Sequence, residues 1–359
     1  MEKLRVAIFG LAHPHAAALT KAFKAIPDEV EILGYAEVGP YDDQTREERY
    51  KNIGNSADDL KEYADWRELL ALEPDVAVVA TENSVCADVS CEILSKGISV
   101  INEKPMAMTY ADAKRMADCA KANGAHIITN WPIAWFPSFN YAKKLVDDGV
   151  VGKPMRVTYR SPATWGPYSY GKKTVTPPVE FLNKTWWYRK ECGGGSILDY
   201  ACYGAILATR MFGKKALRVS GIAKQFCVVG TSVEDYSAMI LDFGDGVGLL
   251  EGSWSTFNPA EIPSGPVIYG TDGVIVCDRH SEIIKIYKGN SHKHLPPVEE
   301  IDCSQMDEYR GDLGRNIVDF LRGNAPLNPL LETEINLAVV AALDAGRRSA
   351  EQGITADVE

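Results

Sequence analysis

Through the first part of the chain, short apolar runs alternate with segments of helical period, and that alternation leaves few folds open. "KLRVAIFG", "VEILGYAE", "DVAVVAT", "ISVINEKP" and "HIITNW" read as strands. Between them, "AAALTKAFKAI", "ADWRELLALE", "SVCADVSCEILSKG" and "TYADAKRMADCAKANG" have helical spacing. The first of these helices has Ala18, Phe23 and Ile26 available to one face, and the second ends before Pro74. The third stops at Gly97; the fourth has Thr109 as its N-cap and Gly124 past its end. "DVAVVAT" is nearly all apolar, as a parallel strand covered on both faces should be. Strands alternating with helices in this way predict a doubly wound parallel sheet.

Near residue 150 the pattern changes. "PSFNYAKKLVDDG" reads as a helix, "VVGKPMRVTYRS" leads into a strand, and a loop rich in Pro, Gly and aromatics runs from Pro162 to Trp187. "SILDYACYGAILATRMFG" reads as a helix. Strands then follow one another without long helices between them: "LRVSGIAKQF", "DYSAMILDF", "VGLLEGSWSTF", "PVIYGT", "GVIVCD" and "IIKIYK". "GDG" at Gly244–Gly246 is a hairpin candidate. This part reads as an α+β domain with a large, mostly antiparallel open sheet. The chain closes on the helical run "LNPLLETEINLAVVAALDAGRRSAEQG". The expected division is a parallel-sheet domain over 1–128, an α+β domain over 129–330, and a C-terminal helix over 331–359 that packs back on the body.

Composition narrows the function classes. A length of 359 residues suits about two domains of ~100–200 residues each, and 46% apolar residues is ample for their cores. A net charge of −11 repels phosphate, so no nucleic-acid partner is expected. No apolar run approaches the roughly 18 residues of a membrane span, and the N-terminus enters a strand directly, so neither a membrane segment nor a secretory leader is expected. None of the cysteines (Cys86, Cys91, Cys119, Cys192, Cys202, Cys227, Cys277, Cys303) forms a CxxC pair. Reduced thiols in a soluble, cytoplasmic protein are the expectation.

Three segments carry candidate chemistry. "FGLAHPHAAAL" stands where a G-x-G-x-x-G nucleotide loop would stand, with Gly10, Ala12 and His15 at the three glycine positions. Only the tight-turn role of the first glycine is kept. The segment follows a strand and opens a helix, and Glu37 ends the second strand, where a carboxylate accepts hydrogen bonds from the ribose hydroxyls of NAD and repels the 2′-phosphate of NADP. By itself the loop fits a worn nucleotide loop or a plain βα turn equally well. His13 and His15 form a His-x-His pair with no third ligand at motif spacing, so a hydrogen bond from one of them to a cofactor phosphate is the better functional reading, and no metal is expected. The second segment is "INEKP", Ile101–Pro105, at the carboxyl end of a parallel strand. A partly desolvated Lys104 there can hydrogen-bond a substrate hydroxyl or shuttle its proton. The third is "CGGGSILDYACYG", in which Asp199 and Tyr203, four residues apart, share a helix face and can grip and deprotonate a hydroxyl.

In this order and spacing, the three segments resemble the Gfo/Idh/MocA family of oxidoreductases. The resemblance covers nearly the whole chain. It runs through "TENSVCADVSCEILSKGISVINEKPMAMT", "PSFNYAKKLVDDGVVGKPMRV", "GGGSILDYACYG" and "GTDGVIVCD". It implies an N-terminal Rossmann domain that binds NAD, with NADP disfavoured, and cofactor contacts at Gly10, Ala12, His13, His15, Glu37, Thr81, Asn83, Glu103, Lys104 and Pro105. Lys104 would lie near the nicotinamide and the reacting hydroxyl, with the Lys104–Pro105 bond a candidate for cis, and Asp199 would contact substrate. Tyr203, where many members have His, would be the acid/base, assisted by Lys104. The chain departs from the family pattern at the glycine loop, at Glu82 in place of Pro, at Cys86 in place of His and at Ala134 in place of Arg.

The expected activity is hydride transfer between nicotinamide and a secondary alcohol or ketone of a sugar, polyol or cyclic alcohol. Trp131, Trp165, Trp187 and Arg189 join Asp199 as candidate substrate contacts, the tryptophans offering faces on which sugar rings stack. Two rival expectations are redox-assisted elimination or hydrolysis with recycled, tightly held NAD, and a sensor or scaffold of the same fold that has lost its cofactor. Family members commonly assemble through the free face of the second sheet, so a homodimer or homotetramer is expected.

Overall fold

A computed structural model describes residues 2–39, 46–163, 178–259, 261–289, 294–306 and 311–359. The expected alternation produces strands β1 (Leu4–Phe9), β2 (Val30–Ala36), β3 (Glu62–Tyr63), β4 (Val76–Val79), β5 (Ser99–Glu103) and β6 (Ile127–Asn130). They form one sheet in the order β3-β2-β1-β4-β5-β6, with every pairing parallel. All four residues of β4 are fully buried, as its unbroken apolar run requires. The helices are α1 (Ala16–Lys24), α2 (Arg46–Tyr50), α3 (Trp66–Leu70), α4 (Asn83–Leu94) and α5 (Tyr110–Ala122). Thr109 caps α5 by accepting from Asp112 N at 3.1 Å.

The inward face of α1 agrees with the expected one at Phe23 and departs from it elsewhere. Ala16, Leu19, Thr20 and Phe23 are buried, whereas Ala18 is exposed and Ile26 lies beyond the helix end. Alanines mark helix phase weakly, and the larger Leu19 decides which stripe turns inward.

The second half contains α6 (Pro137–Asp147), β7 (Pro154–Pro162), α7 (Val179–Leu182) and α8 (Cys202–Phe212). After these come β8 (Arg218–Lys224), β9 (Tyr236–Asp242), β10 (Val247–Ser253), β11 (Val267–Gly270), β12 (Val274–Asp278), β13 (Ser281–Tyr287) and β14 (Glu299–Asp302). The chain ends with α9 (Leu313–Leu321), α10 (Thr333–Gln352) and β15 (Thr355–Asp357). The strands form a nine-stranded sheet in the order β14-β13-β12-β11-β7-β10-β9-β8-β15. Its neighbours are antiparallel except β7 and β10, which run parallel. The hairpin at Gly244–Gly246 joins β9 to β10, closed by Phe243 N donating to Gly246 O at 2.9 Å. Helix α8 lies directly on this sheet. A Cβ at Gly204 would come within 2.8 Å of Leu250 Cδ2 and 3.1 Å of Tyr159 Cδ1.

The chain divides into two compact units. One comprises Met1–Trp131, Glu180–Gly194 and Asp312–Leu337; the other comprises Pro132–Val179, Gly195–Gly311 and Ala338–Glu359. Both units are discontinuous, so the aromatic segment at 186–188 belongs with the parallel sheet rather than with the 129–330 block. All eight cysteines lie among the described residues, and none is bonded to another. No helix among the described residues is long and apolar enough to cross a membrane.

Candidate active site

The strand order of the parallel sheet reverses at β1 and β4, so the loops that leave these two strands lie where open α/β sheets take their ligands. Gly10 follows β1 at φ +80°, and a Cβ there would lie 2.6 Å from Thr81 Cγ2 in the loop after β4. Only glycine combines that backbone with that approach. Ala12 is buried, and its carbonyl accepts from Trp186 Nε1 at 3.0 Å and Asn52 Nδ2 at 3.3 Å. The loop is therefore held by side chains from distant segments.

Glu37 ends up beside this loop, as expected of an acidic residue after β2. Its Oε2 accepts from Leu11 N at 3.1 Å, and its Oε1 from Val38 N at 3.0 Å and Arg49 Nη1 at 2.9 Å. Arg49 is 1% exposed and also lies 3.8 Å from the fully buried Glu82. Burial raises the Glu37 carboxyl above its ordinary value, with Arg49 opposing. The three bonds leave Oε2 with capacity for a further donor.

The turn after β5 is the most built part of the first unit. Lys104 is 3% exposed, and the Lys104–Pro105 bond is cis. Asn102 ties the turn by donating from Nδ2 to Glu103 O and Met106 O, both at 2.8 Å. Glu103 is buried, takes Asn130 Nδ2 on Oε1 at 2.7 Å, and meets His15 Nδ1 at Oε2 across 2.9 Å. Burial opposes ionisation of Glu103, but His15 foremost, then His13 and the Asn130 amide, outweigh it and hold the carboxyl down at about 2. His13 Nδ1 accepts the His15 N–H at 3.2 Å and lies 3.9 Å from Glu103 Oε2. Its Nε2 is buried with no hydrogen-bond partner among the described residues. Burial, aided by the charges of His15 and Lys104, keeps the His13 imidazole well below its ordinary 6.5 against the pull of Glu103. The loop's own segment offers no third ligand at motif spacing, as read from the sequence, but a carboxylate reaches the pair from elsewhere in the fold. The fold brings up Glu103 from 88 residues away, and donor atoms of all three side chains lie within 4.8 Å of one another.

Other expected contacts divide. Asn83 starts α4 and donates from Nδ2 to Gly193 O at 2.8 Å. Cys86 is buried beneath the Lys104 turn, 3.7 Å from Asn102 Nδ2, and burial pushes its thiol up to about 11. Trp131 is not a substrate contact: it is fully buried and donates from Nε1 to Asn336 Oδ1 at 2.8 Å. Trp187 stacks on Trp186 at 3.8 Å between ring centroids and meets His13 edge-on at 5.0 Å, so it lines the nucleotide loop. Arg189 Nε donates to Glu191 Oε1 at 2.8 Å. Trp165 lies outside the described residues.

In the second unit, Asp199 and Tyr203 are both buried, at 4% and 9% exposure. Asp199 does not sit in a plain α-helix. Ile197–Ala201 is a π-helical turn that runs into α8, so the face shared by residues four apart is shifted from the expected one. Asp199 Oδ2 accepts from Trp254 Nε1 at 3.0 Å. Two further bonds brace the segment: Glu234 Oε1 accepts Ile197 N at 2.8 Å, and Ser196 Oγ meets Ser237 Oγ at 3.1 Å.

Residues 4–131 match the family described as "Oxidoreductase family, NAD-binding Rossmann fold", and residues 139–276 match the Gfo/Idh/MocA C-terminal domain. The chain belongs to the Gfo/Idh/MocA oxidoreductase family. Trans-1,2-dihydrobenzene-1,2-diol dehydrogenase of Xenopus laevis is 28% identical over 233 residues, covering 64% of this chain and 63% of that protein, slightly under two thirds of its length. scyllo-Inositol 2-dehydrogenase (NAD(+)) of Bacillus subtilis is 22% identical over 285 residues, covering 76% and 75%. The WlbA dehydrogenase of Bordetella pertussis, solved with NADH and UDP-GlcNAcA, shares the fold with a TM-score of 0.74 at 19% identity, covering 100% of this chain and 99% of that one.

For a Gfo/Idh/MocA protein, the degraded glycine loop is the point to test, and its residues fit a dinucleotide. Gly10 keeps the tight turn that brings the loop against Thr81, His13 Nε2 is a buried polar atom in need of a partner, and Glu37 retains acceptor capacity. Sequence reasoning missed Asn52, Arg49, Asn102, Asn130 and Trp186. Asn52, Arg49, Asn130 and Trp186 act by reaching across the fold, which no spacing along the chain announces, whereas Asn102 acts locally on Glu103 O and Met106 O from within "INEKP", where it was a legible polar signal.

Proposed function

We propose that this chain is an NAD-dependent dehydrogenase that moves a hydride between nicotinamide C4 and a secondary alcohol or ketone of a sugar, polyol or cyclic alcohol. The observation that carries the reading is Lys104, a buried lysine at the carboxyl end of β5 on a turn tied down by Asn102. When bound, NAD accepts or returns the hydride. Lys104 stabilises the alkoxide that develops on the substrate oxygen, Tyr203 takes the hydroxyl proton, and Asp199, oriented by the Trp254 indole, positions the substrate. Tyr203 and Asp199 enter this mechanism through the family pattern.

His13 and His15 serve as phosphate contacts. Because His13 Nδ1 accepts the His15 N–H, its proton sits on Nε2, a donor suited to a pyrophosphate oxygen. Glu37 follows β2 and already pairs with Arg49 at 2.9 Å, so the nearby cation is taken up rather than left for a 2′-phosphate, which supports NAD over NADP. We further propose that the protein assembles as a homodimer or homotetramer through the outer face of the nine-stranded sheet, where Ile222 and Ile240 are 54% and 50% exposed. Titration of the purified protein with NAD and NADP tests the cofactor reading. Saturable NAD binding with weaker NADP binding is expected; binding of neither would overturn the enzyme reading, and tighter NADP binding would overturn the role of Glu37. A polyol and sugar panel assayed for NADH formation then identifies the substrate.

A further inference from the structure

We propose that His13, His15 and Glu103 bind one first-row divalent transition-metal ion on the nucleotide loop. The proposal goes beyond the dehydrogenase reading and does not depend on it. Its basis is the donor set: one nitrogen from each imidazole and one carboxylate oxygen, all within 4.8 Å of one another. Two imidazoles and a carboxylate are a ligand set that zinc and its neighbours take, with the remaining positions left to water or an anionic ligand oxygen. Bonds of about 2.0–2.1 Å in a tetrahedron put ligand atoms about 3.4 Å apart. From Glu103 Oε2, His15 Nδ1 lies at 2.9 Å and His13 Nδ1 at 3.9 Å, distances that bracket that edge.

A second observation points the same way. His13 is 3% exposed, yet its Nε2 has no hydrogen-bond partner among the described residues. To take the ion, Nδ1 gives up the His15 N–H that it accepts at 3.2 Å, and Nε2 keeps its proton on the far side of the ring. The carboxylate is also braced as a ligand would be, since Asn130 holds the oxygen that does not face the imidazoles. Lys104 lies within electrostatic reach of His13, so its ammonium opposes the ion.

The test uses tag-free full-length protein, stripped with chelator and free of nucleotide. It is titrated with Zn²⁺ by calorimetry and with Co²⁺ by visible absorption. One ion per chain is expected, with Co²⁺ bands that reveal nitrogen and oxygen ligation. His15→Ala and Glu103→Gln should each abolish saturable binding, Asn130→Ala should weaken it about tenfold, and Lys104→Met should tighten it. Far-UV circular dichroism and Tm establish that each variant is folded, and the half-exposed His15 and the isosteric Glu103→Gln change give two independent removals. Absence of saturable Zn²⁺ and Co²⁺ binding, or binding that survives both removals, would overturn the proposal. Titration with NAD in metal-free buffer separates that failure from failure of the dehydrogenase reading.

Discussion

At the scale of single residues, Lys104 and His13 are both buried in the first unit, with opposite consequences. On the proposed mechanism Lys104 acts on charge that appears only as the reaction proceeds, so Lys104→Met should lower kcat about a hundredfold or more while leaving NAD affinity near its original value. Steady-state kinetics and NAD titration on the same preparation check this; full activity would refute the role. His13 acts on stability. Unfolded, an imidazole titrates near 6.5; folded, burial foremost keeps His13 well below that. Between those values the unfolded chain binds a proton that the folded chain does not. The stabilisation is therefore complete above pH 6.5 and is lost as pH falls, at up to about 1.4 kcal/mol per pH unit. Thermal melts from about pH 7.5 to about pH 5 should show this slope, and His13→Gln should flatten it.

At the scale of elements, α9 shows how a late segment is fastened to an early one. It packs against α1, and Gly314 allows the contact, since a Cβ there would lie 2.5 Å from Ala22 O. Glu29, just before β2, accepts from Arg315 at the start of α9 and from Arg322 just past its end. Arg315 foremost holds the Glu29 carboxyl below its usual range. A depressed carboxyl stabilises the fold above the ordinary carboxylate range, and the contribution fades as pH drops through it. Glu29→Gln should therefore speed amide exchange in α9 at neutral pH and make no difference in strong acid. The π-helical turn at Ile197–Ala201 sets the backbone at Asp199 apart from the regular helix that follows.

At the scale of the whole molecule, the nine-stranded sheet separates its residues by parity. Val219, Met239, Leu241 and Leu250 are buried on one face, while Ile222 and Ile240 emerge on the other. An apolar strand surface left to solvent is a candidate interface. Ile240→Lys should shift the protein to monomer in light scattering after size exclusion without a change in far-UV spectrum, and an unchanged mass would remove the sheet face from consideration.

Much of this protein was legible along the chain. Alternation of apolar runs and helical periods predicted the parallel sheet, Thr109 the cap of α5 and "GDG" the hairpin, because each depends on neighbours within a few residues. The same local rules misplaced part of the face of α1, where alanines carried little phase information, and took Trp131 for a ligand contact when burial had claimed it. The pairing of Glu37 with Arg49, the Trp186 and Asn52 bonds to Ala12, and the meeting of His13 and His15 with Glu103 came only from the tertiary structure. Those contacts join residues separated by anything from a dozen positions to more than a hundred, and sequence spacing carries no distance information once the chain has folded back on itself.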